Sequence, residues 1–241
     1  MEYSTYSEIL KSIQEKAPIE SGVQTLIYML IFEAIKTKEL AEDVIIIDKM
    51  QSHSVFMSYG GISDIAIVDK LFNYNTSEID KIKMCIEIKE ISDNIHNREN
   101  SEQVKRQFIT YKNAIISNGK EWAFYTVDNL SKKCNDKITE CKETINVVIE
   151  NERKLAKIKS ELRGMYSART RRVKKGRNTD DIDIEIATLK KEKEKLEQLI
   201  EEKRQEIDSK IQYEEIKPKI YSITNQEELD NVCDKIVKMY G

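Results

Sequence analysis

The chain has 241 residues, 39% apolar and 34% charged, where an ordinary soluble domain is about one quarter charged. Its longest apolar runs, Leu26 to Phe32 and Val44 to Ile47, fall far short of the roughly eighteen residues a bilayer crossing needs. Residues Met1 to Glu15 mix acids and bases without the continuous apolar stretch of a signal peptide. These features exclude a membrane span and predict a cytoplasmic protein. Cys85, Cys134, Cys141 and Cys233 form no CxxC pair, which fits reduced thiols rather than a disulfide scaffold or a four-cysteine zinc site.

Seven glycines and two prolines are few turn formers for this length, so long regular elements are expected. The net charge of -3 hides a segregation. Residues 134–212 carry 20 basic against 17 acidic side chains, and the rest of the chain 20 against 26. A third of the chain thus holds half its positive charge.

In chain order, the run from Ser21 to Thr37 places Val23, Leu26, Ile27, Leu30, Ile31 and Ala34 on one broad face, the spacing of a buried helix. Three β-type runs follow, Val44 to Asp48, Ile62 to Asp69 and Ile82 to Lys89, separated by turn-prone segments at Tyr59-Gly60-Gly61 and Asn73 to Ser77. They read as consecutive, mostly antiparallel strands. A second helix is expected from about Glu99 to Ile116, closed by Asn118-Gly119 before a strand from Trp122 to Val127. The order is αβββαβ.

From Cys134 the pattern becomes a heptad: Cys134, Ile138, Cys141, Ile145, Val148, Glu152, Leu155, Lys159, Leu162 and Tyr166. A weaker second arm runs through Ile182, Ile186, Leu189, Lys193, Leu196, Ile200, Lys203 and Ile207. Gly164 and Gly176 lie between them, so an antiparallel coiled-coil hairpin with arms roughly 45 Å long is expected. Ile216 to Ile223 reads as a further strand and Gln226 to Tyr240 as a closing helix with Leu229, Val232, Ile236 and Val237 inward. The expected organisation is therefore an α/β core over 1–133, an inserted hairpin over 134–212, and a strand and helix over 213–241 that complete the core.

The segment Gly60-Gly61-Ile62-Ser63-Asp64-Ile65-Ala66-Ile67 is followed about twenty residues later by Cys85-Ile86-Glu87-Ile88-Lys89. Side chains alternate on a strand, so Glu87 and Lys89 emerge from one face and Ile86 and Ile88 from the other. If the strand bearing Asp64 pairs alongside, two carboxylates converge as hard oxygen ligands of the kind magnesium takes.

These residues resemble the PD-(D/E)xK nucleases, and among them the N-terminal nuclease domain of type I restriction enzyme motor subunits. The resemblance covers about residues 15 to 130 and resumes near 215. It rests on Asp64 followed by Glu87-x-Lys89, on Glu20 ahead of a long apolar helix, and on Glu102-Gln103-Val104-Lys105-Arg106 leading to Ile115 to Tyr125. Two positions depart from the pattern: Gln107 stands where a tyrosine is common, and Ser63 where a proline usually precedes the aspartate.

The resemblance implies a restriction-endonuclease-like core, a mixed sheet flanked by helices, and magnesium-dependent hydrolysis of DNA phosphodiesters, with manganese able to substitute. Asp64, Glu87 and the backbone carbonyl of Ile88 would hold the metal. Lys89 would orient the attacking water and offset transition-state charge. Glu20 would bind a second ion or its water, and Gln103 would position the phosphate or the lysine. The expected setting is restriction, defence or DNA processing, with endonuclease action.

Seven basic residues and no acid lie from Arg163 to Arg177. Of these, Arg169, Arg171, Arg172, Lys174, Lys175 and Arg177 are the candidate contacts to DNA phosphates. The hairpin is equally suited to dimerise or to recruit a partner protein, and Lys193 and Lys203 on its seam weaken simple pairing. Trp122, Phe124 and Tyr125 are expected in the core, and His53 and His96 as solvated side chains. The rival readings are a non-catalytic nucleic-acid-binding or assembly module of the same fold, and a coiled-coil scaffold with an accidental motif.

Overall fold

The computed structural model describes residues 1–40, 42–47, 55–74 and 79–239. Helix α1 spans Tyr3–Lys16 and α2 Glu20–Thr37. Four strands follow, β1 Glu42–Ile46, β2 Met57–Ser58, β3 Gly61–Ile62 and β4 Ile65–Asp69, then β5 Ile82–Ile88. Helix α3, Arg98–Tyr111, leads to β6, Asn113–Ser117, and β7, Glu121–Thr126. Helices α4, Lys132–Glu140, α5, Lys142–Lys174, and α6, Asp180–Lys210, precede β8, Lys219–Ser222, and α7, Gln226–Lys238.

Six strands form one sheet in the order β1-β4-β5-β6-β7-β8, antiparallel except for the parallel pair β5 and β6. The chain is thus mixed α/β. Alternation along the strands divides the core in two. Ile65, Ile67, Met84, Ile86, Ile88 and Trp122 face α1, α2 and α7. Ala66, Val68, Cys85, Ala114, Ile116 and Tyr125 face α3 and the helices after it. The first face is closed by α2, whose buried residues are Val23, Leu26, Ile27, Leu30, Ile31 and Ile35; Ile35 takes the last inward place and Ala34 is half-buried.

Several elements differ from expectation. Helix α1 was not foreseen; it docks through Tyr6, which donates to the Gly119 carbonyl at 2.5 Å. The run Ile62 to Asp69 is not one strand. It breaks at Ser63-Asp64, where β3 turns back onto β2 and β4 begins. The helix expected through Ile116 stops at Tyr111. Lys112 adopts a left-handed φ of 67° and caps it, and Asn113–Ser117 becomes a strand because β5 lies alongside to take its backbone hydrogen bonds. Strand β1 ends at Ile46, and Asp48 falls outside the described residues, as do Tyr240 and most of the turn from Asn73 to Ser77.

The heptad region also departs from its reading. The first arm is interrupted at Cys141, and Cys134, Ile138, Cys141, Ile145, Val148 and Ile149 pack into the core beneath the sheet rather than onto a seam between arms. Beyond them α5 and α6 run antiparallel, with ion pairs from Glu152 to Arg204, Lys159 to Glu197 and Arg169 to Asp183. Their distal contact is a separate cluster of Ile158, Leu162, Ile182 and Ile186. Tyr166 is exposed rather than buried in the contact. Lys193 and Lys203 are half-buried and pair with Glu197 and Glu206 on their own helix, so each charge is met by a carboxylate at the contact. Among the described residues no helix is long and apolar enough to cross a membrane.

Candidate active site

The segment entering β4 is shaped by two glycines. A Cβ on Gly60 would come within 2.7 Å of the Gln107 backbone nitrogen and closer still to the Gln103 carbonyl, so only glycine lets this turn lie against α3. Gly61 takes a φ of +92°. The chain then leaves β3 at Ile62, and Asp64 N donates to the Ile86 carbonyl at 3.0 Å.

The register Ile65 to Ile86 places Asp64 across from Glu87 on the face that also carries Ala66 and Cys85. The Asp64 carboxylate accepts from the Ile88 backbone N–H at 2.7 Å through Oδ2. Glu87 Oε1 accepts from Lys89 Nζ at 3.0 Å, and Oε2 from Gln107 Nε2 at 2.9 Å. Lys89 is itself fixed at the end of β5, its backbone N–H donating to the Ser117 carbonyl at 2.9 Å. Asp64 is 3% exposed and Glu87 1%. Burying two carboxylates is tolerable only where donors and a cation surround them, and Ile88 N–H, Gln107 and Lys89 fill those roles. Burial, with the Glu87 charge beside it, pushes the Cys85 thiol well above its usual range.

Asp64, Glu87, Ile88 and Lys89 are therefore brought together. Glu20 opens α2 and is half-buried. One turn further along that helix Gln24 donates to the Asp64 backbone carbonyl at 3.0 Å, so Glu20 lies at the same end of the sheet. Gln103 is not the glutamine that reaches Glu87. It stands one turn before Gln107 and lines a shallow pocket with Tyr59, Gly60, Gly61, Arg106 and Arg204.

The basic residues lie at the far end of α5 and in the turn to α6, remote in sequence from the core-packed base of the hairpin. Arg169 is bound to Asp183 and Arg172 to Asp181 at 2.6 Å, while no ion pair ties Arg171, Lys174, Lys175 or Arg177 among the described residues. Trp122, Phe124 and Tyr125 are buried. His96 lies 3.7 Å from Glu121 on the surface, and His53 falls outside the described residues.

Sequence reasoning missed Gln107 and Gln24 as supports of the acids. A signal existed for each: Gln107 stands four places after Gln103 and so shares its helical face, and Gln24 is a polar residue in the first turns of a mostly apolar helix. Comparison of the chain with protein-family models, with curated proteins and with solved structures finds no match.

Proposed function

We propose that this chain is a metal-dependent deoxyribonuclease with a restriction-endonuclease-like core carrying an inserted helical hairpin. The observation that carries the reading is the juxtaposition of Asp64 and Glu87 on adjoining strands, with Lys89 bound to Glu87. Among the described residues no three acidic, histidine or cysteine side chains gather at one point. The donor set is thus two carboxylates and backbone carbonyls, which suits magnesium, an ion that binds through one or two carboxylates and keeps several waters. Asp64, Glu87 and the Ile88 carbonyl would hold it, and when bound it supplies Lewis acidity toward a phosphate oxygen; manganese would serve equally.

The chain's own groups do the rest. Ile88 N–H and Gln107 fix the two carboxylates, so their lone pairs keep one direction. Lys89, the most accessible of the three with 14% of its side chain exposed, orients water and offsets the charge that grows on the phosphate in the transition state. Glu20 extends the acidic end of the site. Arg171, Lys174, Lys175 and Arg177 give the hairpin tip a grip on DNA phosphates away from the site.

The burial of Asp64 and Glu87 favours a second reading, a nucleic-acid-binding or assembly module that keeps the fold without catalysis. One experiment separates them: incubation of supercoiled and single-stranded DNA with the protein in magnesium or manganese, beside Asp64→Asn, Glu87→Gln and Lys89→Met variants of matched fold. Cleavage by the wild type that all three variants lose supports the nuclease. DNA binding without cleavage supports the module, and neither activity removes both.

A further inference from the structure

A cavity of about 680 Å³ opens between the end of α3, the start of β5 and the helices α4 and α5. It is separate from the candidate active site: Asp64, Glu87 and Lys89 are absent from its walls. Its volume falls within the roughly 300–1,000 Å³ of small-molecule sites. The floor is apolar, made of Ile82, Ile109, Ile138, Ile145 and Ile149, and Thr139 and Asn146 stand at its side.

Its charges are unbalanced in a particular way. Lys112, Lys142 and Arg153 line it, and none of them forms an ion pair among the described residues. Burial, then the Lys142 charge, lowers the Lys112 ammonium. Arg153 gives one guanidinium N–H to the Val55 carbonyl at 2.9 Å, and its buried Nε has no hydrogen-bond partner. Of the charged lining residues, Lys112 and Arg153 are half-buried, whereas Lys142 and the two acids, Asp80 and Glu150, are exposed, and the Glu150 charge acts on Arg153. Two ammoniums and a guanidinium with an unfilled donor in the lining, together with an apolar floor, match a dianionic group joined to a flat, largely apolar one.

We propose that this cavity binds a nucleoside phosphate, the phosphate held by Lys112, Lys142 and Arg153 and the base laid against the isoleucine floor with Thr139 and Asn146 at its edge. The ligand would join α3 and β5 of the core to α4 and α5, so binding would tie the base of the hairpin to the sheet.

The test is isothermal titration of the full chain with AMP, GMP, CMP, UMP and ATP, and separately with inorganic phosphate. The variant is Lys112→Asn with Lys142→Gln, asparagine being a residue that accepts the left-handed backbone at 112; Lys142→Glu, an exposed reversal, stands in if the double variant fails to fold. At least one nucleotide should bind, and the variants should weaken it about tenfold or more, the loss of a charge-assisted hydrogen bond, while Glu87→Gln leaves it unchanged. The proposal is overturned if no nucleotide binds, if inorganic phosphate binds as tightly as the nucleotide, or if the lysine variants bind the nucleotide as tightly as the wild type.

Discussion

Gln107 Nε2 donates to Glu87 Oε2 at 2.9 Å, from the third turn of α3 to one of the two central strands of the sheet. Both side chains are almost fully enclosed, so the amide is an integral part of how the Glu87 carboxyl group finds its hydrogen-bond partners inside the protein. Replacing Gln107 with leucine removes that donor and leaves a buried oxygen short of a partner, at a cost of about 1–3 kcal/mol. Urea unfolding should show a lower midpoint at unchanged slope, and any metal-dependent cleavage should fall with it. An unaltered midpoint would mean that Glu87 finds its donors elsewhere.

Lys89 and Glu87 make a coupled prediction. Lys89→Met leaves a carboxylate that is 1% exposed without its cation, and breaking one side of such a pair costs about 3–5 kcal/mol. Adding Glu87→Gln removes the stranded charge, so the double variant should recover most of that stability while remaining unable to cleave DNA. Thermal melting of the two single variants and the double variant measures this; purely additive losses would show that the pair is not coupled.

At the hairpin tip the basic residues with and without an ion-pair partner should behave differently. Changing Arg171, Lys174, Lys175 and Arg177 together to alanine should lower DNA affinity and flatten its dependence on salt, by up to about 0.9 in log-log slope for each phosphate that is no longer neutralised. Arg169 and Arg172 are already held by Asp183 and Asp181, so their alanine variants should change that slope less. Fluorescence anisotropy across a salt series distinguishes the two sets.

Where the hairpin is cut decides whether the protein survives. Ile145, Val148, Leu155, Ile200 and Ile207 belong to the same apolar cluster as Phe108 and Tyr125, whereas Ile158, Leu162, Ile182 and Ile186 form their own. Removing 160–196 and closing the gap with a short Gly/Ser linker should preserve cooperative unfolding. Removing 142–210 should abolish it, because it strips the cover from one face of the sheet. Circular dichroism melts read both outcomes.

Stability should decline on the alkaline side. Burial pushes the Cys233 thiol up from 9.0 to about 11, and it raises Cys85, Tyr6 and Tyr111 above their usual ranges as well. In each case the folded protein holds its proton more tightly than the unfolded chain, so the contribution is complete below about pH 9 and is lost as pH rises through the folded value. For Cys233 that window is pH 9 to 11. Urea midpoints measured between about pH 7 and 11 should fall only above about 9; a midpoint that stays level across the series would contradict the assignment.

Period-two alternation was enough to put Glu87 and Lys89 on one face and Ile86 and Ile88 on the other, because strand geometry leaves no other choice once a run is extended. The apolar spacing of α2 was equally readable, as was the basic tip, since both are properties of consecutive residues. Three matters depended on the tertiary arrangement. Ile115-Ile116 reads as the end of a helix until β5 is alongside, since a short apolar run has no period of its own and its hydrogen bonds come from a partner about thirty residues away. Gln103 and Gln107 are four apart on one helical face, and only the seating of α3 on the sheet, set by its contact with Gly60, selects Gln107 for Glu87. A heptad, finally, specifies an apolar stripe but not what covers it. The sheet takes the stretch from Cys134 to Leu155 because its second face would otherwise be exposed, and the two arms are left to pair only beyond it.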